Sequence, residues 1–310
     1  MESNFQNSQN TFQLKTPILF LVFNRPDLTY KVFKKICEVK PCKLYISSDG
    51  PRKKNNIDIK IVSEIRKYLL NNIDWDCEIK TLFRDTNLGC RLAVSSAITW
   101  FFENEEEGII LEDDCLPTKA FFDYCNFALD KYKNNYKVYS ISGTNLLSGK
   151  INESVFSLHG SIWGWASWRR AWKNYDVDNK EISFMDCFYY ACSFLELINI
   201  YKIRKKIKEK LYNSWDYQWL FTRISNRGLT LMPKDNYIKN IGFKIGTHHK
   251  NEVAFNYPES SNFFDKKNFK LPEIKRSKKY DYLLFKYRKQ KNNSFNIKFK
   301  NFIFKLLGKV

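Results

Sequence analysis

Histidine is scarce in this chain of 310 residues, with three in all, and none of its eight cysteines form a Cys-x-x-Cys pair. That excludes zinc-finger and zinc-ribbon spacings, which need four closely placed thiol or imidazole ligands. The cysteines, scattered at 37, 42, 77, 90, 115, 125, 187 and 192, read as reduced thiols in a cytosolic chain. No apolar run reaches the ~18 residues of a spanning helix. The N-terminal MESNFQNSQNTFQLK also lacks the apolar core of a signal peptide. The expected location is the cytoplasm, with any membrane met at its inner face. Glycine (11) and proline (8) are too few for linker-rich or low-complexity organisation, and no internal repeat is found.

Apolar and aromatic side chains are plentiful, at 44% and 17% of residues, which suits a sizeable core. The length fits one or two domains at about 150 residues each. The net charge of +19 is concentrated in two places. Residues 261–310 carry fifteen Lys/Arg against three Asp/Glu, and 201–210 carry six against one. The rest is nearly neutral, which argues against a protein that coats nucleic acid. Basic segments of this kind favour an anionic lipid surface or a phosphorylated substrate.

Along the chain, short apolar runs alternate with helical periodicity. Pro17–Phe23, Lys43–Ser47, Cys77–Phe83 and Gly108–Leu111 have the strand character. Between them, Leu28 to Ile36, Ile57 to Leu70 and Leu92 to Phe102 place apolar residues at helical spacing. This alternation predicts an α/β fold with a mostly parallel sheet and helices on both faces. Further on, Ala120–Tyr132 reads as helix, Lys137–Ser142 and Leu229–Met232 as strands, and the stretch up to about 212 as mainly helical.

Sheets of this kind bind ligands beyond the carboxyl ends of their strands. Asn24-Arg25, Asp49, Arg84-Asp85 and Glu112-Asp113-Asp114 all fall at such ends, so four segments are expected to meet in one crevice. Three successive acids after a buried strand are costly to desolvate without a cation or donors nearby. Hard carboxylate oxygens suit Mg²⁺ or Mn²⁺. A solvated acidic turn is the plain alternative.

Five segments in register carry a resemblance: Val22-Phe23-Asn24-Arg25, Ser47-Ser48-Asp49, Arg84-Asp85-x-Asn87-Leu88-Gly89, Glu112-Asp113-Asp114 followed by Phe121-Phe122, and Trp215-Asp216-x-x-Trp219. Over roughly residues 16–250 the chain resembles nucleotide-sugar glycosyltransferases of the GT-A fold. The nearest pattern is the N-acetylglucosaminyltransferase I type and its bacterial relatives in surface-glycan synthesis. The resemblance implies Asp114 as ligand of a Mn²⁺ or Mg²⁺ ion, Asp113 on the ribose and Glu112 near the transferred sugar. It further implies Asp49 on the base (uracil N3–H), Asn24, Arg25 and Arg84 around the nucleotide, and Asp216 as general base in an inverting transfer. A UDP-sugar donor and a glycan or lipid-linked acceptor follow from the same likeness, as does a role in surface polysaccharide synthesis. It also implies a division into a disordered 1–15, a GT-A domain over 16–255 and a basic tail over 256–310. The domain would have a nucleotide-binding half (16–115) and an acceptor half (116–255).

Other features admit two readings each. His248, or its neighbour His249, could supply a further metal ligand or belong to a plain loop. Arg91 could meet the diphosphate at a helix N-terminus or lie on the surface. Trp163, Trp165 and Trp215 could line an acceptor pocket or belong to the core, where aromatic clusters usually sit. Phe299, Phe302, Ile303, Leu306 and Leu307 recur at helical spacing among lysines, so residues 295–310 could lie on an anionic membrane or dock on the domain. Two rival functions remain. A sugar-phosphate nucleotidyltransferase needs a glycine-rich loop after the first strand, and Phe23–Asp27 has no glycine. A non-enzymatic glycan- or nucleic-acid-binding module leaves the clustered acids without a purpose.

Overall fold

The structure, a computed structural model, describes residues 13–178, 183–242 and 258–290. An eight-stranded sheet forms its centre. In chain order its first part is β1 (Ile18–Val22), α1 (Pro26–Val39), β2 (Lys43–Ser48), α2 (Asn56–Asn71), β3 (Glu78–Phe83), α3 (Gly89–Asn104) and β4 (Glu107–Glu112). Then come β5 (Cys115–Pro117), α4 (Lys119–Tyr132), β6 (Val138–Ser142), β7 (Val155–Ser157), β8 (Trp165–Trp168) and α5 (Arg169–Trp172). The last elements are α6 (Phe184–Tyr190), α7 (Phe194–Lys208), α8 (Asp216–Ser225), β9 (Leu229–Met232) and β10 (Ile238–Asn240). The strand order is β3-β2-β1-β4-β8-β6-β9-β7, with β5 and β10 paired separately. Only β8 and β7 run against the other six strands. The mostly parallel, Rossmann-like α/β architecture is the one that the strand–helix alternation predicts.

The pleat sorts the side chains of β1 between two cores. Ile18, Phe20 and Val22 face the layer holding Val32 and Ile36 of α1, Ile65 of α2 and Phe121 of α4. Leu19 and Leu21 face the opposite layer, with Ile98 and Phe101 of α3, Trp172 of α5 and Trp219 of α8. Residues covered on both faces explain why the strand reads as an unbroken apolar run. Full burial of each such side chain contributes about 1.5–3 kcal/mol.

The boundaries at both ends differ from expectation. Leu14 is buried and its backbone pairs with Val39 and Cys42, so the folded part begins before residue 16. Residues 258–290 are not a free tail. Phe264 and Phe269 pack on the rings of Tyr124 and Phe127, while Tyr280 and Leu284 are buried. Arg276 pairs with the buried Asp281 at 2.6 Å, which in turn accepts from Ser157. A few anchors thus fasten a strongly basic segment. Residues 1–12 and 295–310 lie outside the described residues, and with them most of the expected N-terminal tail and the amphipathic segment. All eight cysteines are free thiols. Among the described residues no helix is long and apolar enough to cross a membrane.

Candidate active site at the strand ends

Strands β2, β1 and β4 lie side by side and parallel, so the residues that follow them emerge on one edge. Asp49 follows β2, Asn24 and Arg25 follow β1, and Glu112-Asp113-Asp114 close β4. Proline at the first position of α1 fixes the chain just beyond Arg25. Arg25 then reaches across to the acids. Its Nε donates to Asp113 Oδ2 at 3.2 Å, Nη2 to Asp113 Oδ1, and Nη1 to Asp114 Oδ2 at 3.0 Å.

One guanidinium faces three carboxylates. Burial, with repulsion from Asp114 and Asp113, pushes the Glu112 carboxyl up to about 8 despite the pull of Arg25, and Asp216 adds to the repulsion. Burial also lifts Asp113 to about 6, although Arg25 opposes the rise. Burial depresses the Arg25 guanidinium, but attraction to Asp113 and Asp114 outweighs this and raises it overall. The cluster therefore has more negative charge than its own cation offsets. Carboxylate oxygens are the donor type that suits Mg²⁺ or Mn²⁺, although Arg25 here holds both oxygens of Asp113 and one of Asp114.

Asp216 comes from the far half of the chain, as the first residue of α8, where the Ser214 hydroxyl donates to its Oδ1. The half-buried thiol of Cys90, pushed up to about 12 chiefly by burial, also feels Glu112, Asp216, Arg25 and Asp49. Asp216 is thus near enough to Cys90 and Glu112 to act on both electrostatically. Arg25, Asp113 and Asp114, which follow two neighbouring strands, are in direct contact.

Several expected ligand-contacting residues instead bind other parts of the protein. Asp49 Oδ1 accepts from the backbone N–H groups of Gly50 (2.9 Å) and Leu88 (3.0 Å). Its Oδ2 accepts from Asn87 Nδ2 (2.9 Å) and the Gly89 N–H (3.1 Å). Four donors fill the usual acceptor positions of a carboxylate, so Asp49 caps α3 and is not left open for a base. Asn24 donates to the buried Asp58 at 2.9 Å. Arg52 holds Asp58 through two further bonds, and chiefly by these holds its carboxyl down at about 2. Arg84 donates to Ser47 (3.3 Å) and Ser96 (2.7 Å), tying the end of β2 to α3. Arg91 reaches Val177 and Asp178.

The tryptophans divide. Trp165 and Trp215 are buried, with ring centroids 5.9 Å apart, in a cluster that includes Trp172 and Trp219. They are core residues with no open face for a sugar. The reason is β8, which inserts Trp165 into the sheet beside β4. Trp163 is half-buried against the opposite layer. His248 lies outside the described residues. Gly242, six positions before it, packs so closely on the Asp114 carboxylate that a Cβ would overlap it.

Sequence reasoning missed Asp58, Arg52 and Arg66. Arg66 bridges the carbonyl oxygens of Ser48, Asp49 and Arg84 from within α2. Among the described residues, the group whose ligand atoms all lie within 4.8 Å of one another is a different one, His159, Cys192 and Glu196. It lies beyond β7, at the far edge of the sheet from the strand-end acids. Arg276 already donates to the Cys192 sulfur there at 3.4 Å, and the buried Arg223 lies near. Those cations disfavour a bound metal ion.

No family model and no curated protein sequence matches the chain. Among solved structures, similarity extends to a mannosyltransferase from Pyrobaculum calidifontis in complex with GDP-Man and Mn2+, at 12% identity and a TM-score of 0.41. That match covers 78% of this chain and 61% of the other. A 4-diphosphocytidyl-2C-methyl-D-erythritol synthase from Anaerococcus prevotii matches at 10% identity and a TM-score of 0.35, covering 70% and 88%. Mouse xyloside xylosyltransferase 1 matches at 10% and 0.31, covering 67% and 80%.

Proposed function

We propose that this chain is a metal-dependent, inverting GT-A glycosyltransferase that moves a sugar from a nucleotide-sugar to a glycan or lipid-linked acceptor. One observation supports the reading: Asp216, from the second half of the chain, is close enough to the carboxylates that end β4 to repel Glu112. Glycosyl transfer to a hydroxyl needs an anionic leaving group held at one side and a base at the other.

In this reading Asp216 takes the proton from the acceptor hydroxyl as that oxygen attacks the anomeric carbon. The bond to the nucleoside diphosphate breaks on the opposite face, which inverts the anomer. Ser214 orients the Asp216 carboxylate. Asp113 and Arg25 hold the nucleotide side, and Glu112 lies nearest the sugar. Asp114, with Asp113 beside it, would hold Mn²⁺ or Mg²⁺, which when bound stabilises charge on the leaving diphosphate. Asp49, Asn24 and Arg84 position the loops that shape the pocket.

The test is a panel of UDP- and GDP-sugars incubated with Mn²⁺ or Mg²⁺, read as release of nucleoside diphosphate. Metal-dependent release from at least one donor, abolished in Asp216→Asn when acceptor is present, supports the reading. Pyrophosphate release from a nucleoside triphosphate and a sugar phosphate would replace it with nucleotidyl transfer.

A further inference from the structure

The solvent side of α6 and α7 is unusually apolar. Phe194 is 77% exposed and Met185 63%, and Phe184, Phe188, Leu195 and Tyr201 are exposed as well. Their positions make one surface. Phe194 and Tyr201 lie two turns apart on the same side of α7, and the Phe184 ring packs edge-on against Tyr201 at 6.0 Å. On the other side, Leu195 lines a groove shared with Tyr282, Phe285 and Lys286 of the helical residues 278–290. A monomer in water rarely leaves so many large apolar groups together unless something covers them.

The surroundings of this patch are cationic. Lys202, Lys206 and Lys208 follow it on the exposed side of α7, and Lys286 and Lys289 border the groove. We propose that this surface docks on an anionic lipid bilayer. Apolar and aromatic side chains would enter the headgroup boundary, and the lysines would meet lipid phosphates. Charge selects this occupant over two others. A second copy packed face to face would bring one basic rim against another. Residues 291–310 contain five lysines and no acid, so the same rim repels them as a cover. The surface is distinct from residues 295–310, to which the sequence alone assigns membrane contact. Its proposal does not depend on the transfer reaction.

The test is co-sedimentation of the full chain with phosphatidylcholine vesicles made with and without phosphatidylglycerol. Binding should require phosphatidylglycerol and weaken as salt rises. The double variant Phe188→Ser/Phe194→Ser changes exposed side chains and should leave the melting temperature unchanged. It should lower vesicle affinity by about tenfold or more. Lys202→Glu/Lys206→Glu should do the same. The proposal is overturned if both pairs bind like the parent chain. It is overturned equally if Lys298→Glu/Lys305→Glu alone abolishes binding. Conversion of a dimer to a monomer by the Phe pair, with vesicle binding unchanged, would assign the patch to self-association instead.

Discussion

Arg25 grips Asp113 through two nitrogens of one guanidinium, one bond to each carboxylate oxygen. A third nitrogen goes to Asp114. Arg25 is therefore the internal counter-ion of the acids that the proposed reaction uses. Arg25→Met leaves Asp113 buried without its cation, a loss of the kind that costs about 3–5 kcal/mol. Because a divalent ion can take over that neutralising role, Mn²⁺ should raise the melting temperature of Arg25→Met more than that of the parent chain. Thermal denaturation with and without Mn²⁺ measures this, and equal shifts would remove the metal from the argument.

Asp49→Asn exchanges an acceptor of four N–H donors for a group whose own amide must face some of them. Stability should fall by about 1–3 kcal/mol through loosening of the start of α3. Denaturant melts measure the loss. An unchanged melt with a weakened donor KM would instead return Asp49 to the nucleotide base.

Asp216→Asn should lower kcat by about two to four orders of magnitude while leaving donor KM nearly unchanged. Steady-state kinetics with a responsive donor and acceptor separates the two constants. A change confined to KM would make Asp216 a binding group and not the base.

Trp165→Ala should cost about 3–5 kcal/mol, because it opens a cavity among Trp172, Trp215 and Trp219. Calorimetry or urea unfolding reads this directly. A stable variant with impaired acceptor binding would contradict the core placement.

His159 is buried, with its Nδ1 3.6 Å from the Glu196 carboxylate, and burial holds its pKa down at about 4. The unfolded chain binds a proton near pH 6.5, whereas the folded one resists it. Stability from this residue is thus present above about pH 6.5 and lost as pH falls toward 4. His159→Phe, which keeps the ring stacked on Tyr190 at 4.3 Å, should flatten that acid-side decline. Urea melts across this range decide it.

The first half of the fold was legible because β1 to β4 are short runs buried on both faces and separated by amphipathic helices. The acids at the end of β4 stood out because three charges follow directly on the apolar Ile109-Ile110-Leu111, a pattern that a solvated acidic turn also gives. Asp49 stands at a strand end as expected, but its hydrogen bonds to the start of α3 were not foreseen. Its partners are backbone N–H groups 39 and 40 residues away, which leave no mark on composition. Asp58 gave no signal, because Arg52 and Asn24, which enclose it, leave no mark on the helical periodicity of 57–70. Residues 258–290 were hidden by lysine content, since the few side chains that bind them to the body do not alter its average.

The antiparallel strand β8 lies between β4 and β6, pairing with both. Its residues come later in the chain than either neighbour, so it acts as a keystone set last. Until residues 165–168 emerge from the ribosome, β4 presents a bare hydrogen-bonding edge, open to pairing with other chains. Cutting the gene after residue 115 should therefore yield an aggregating fragment.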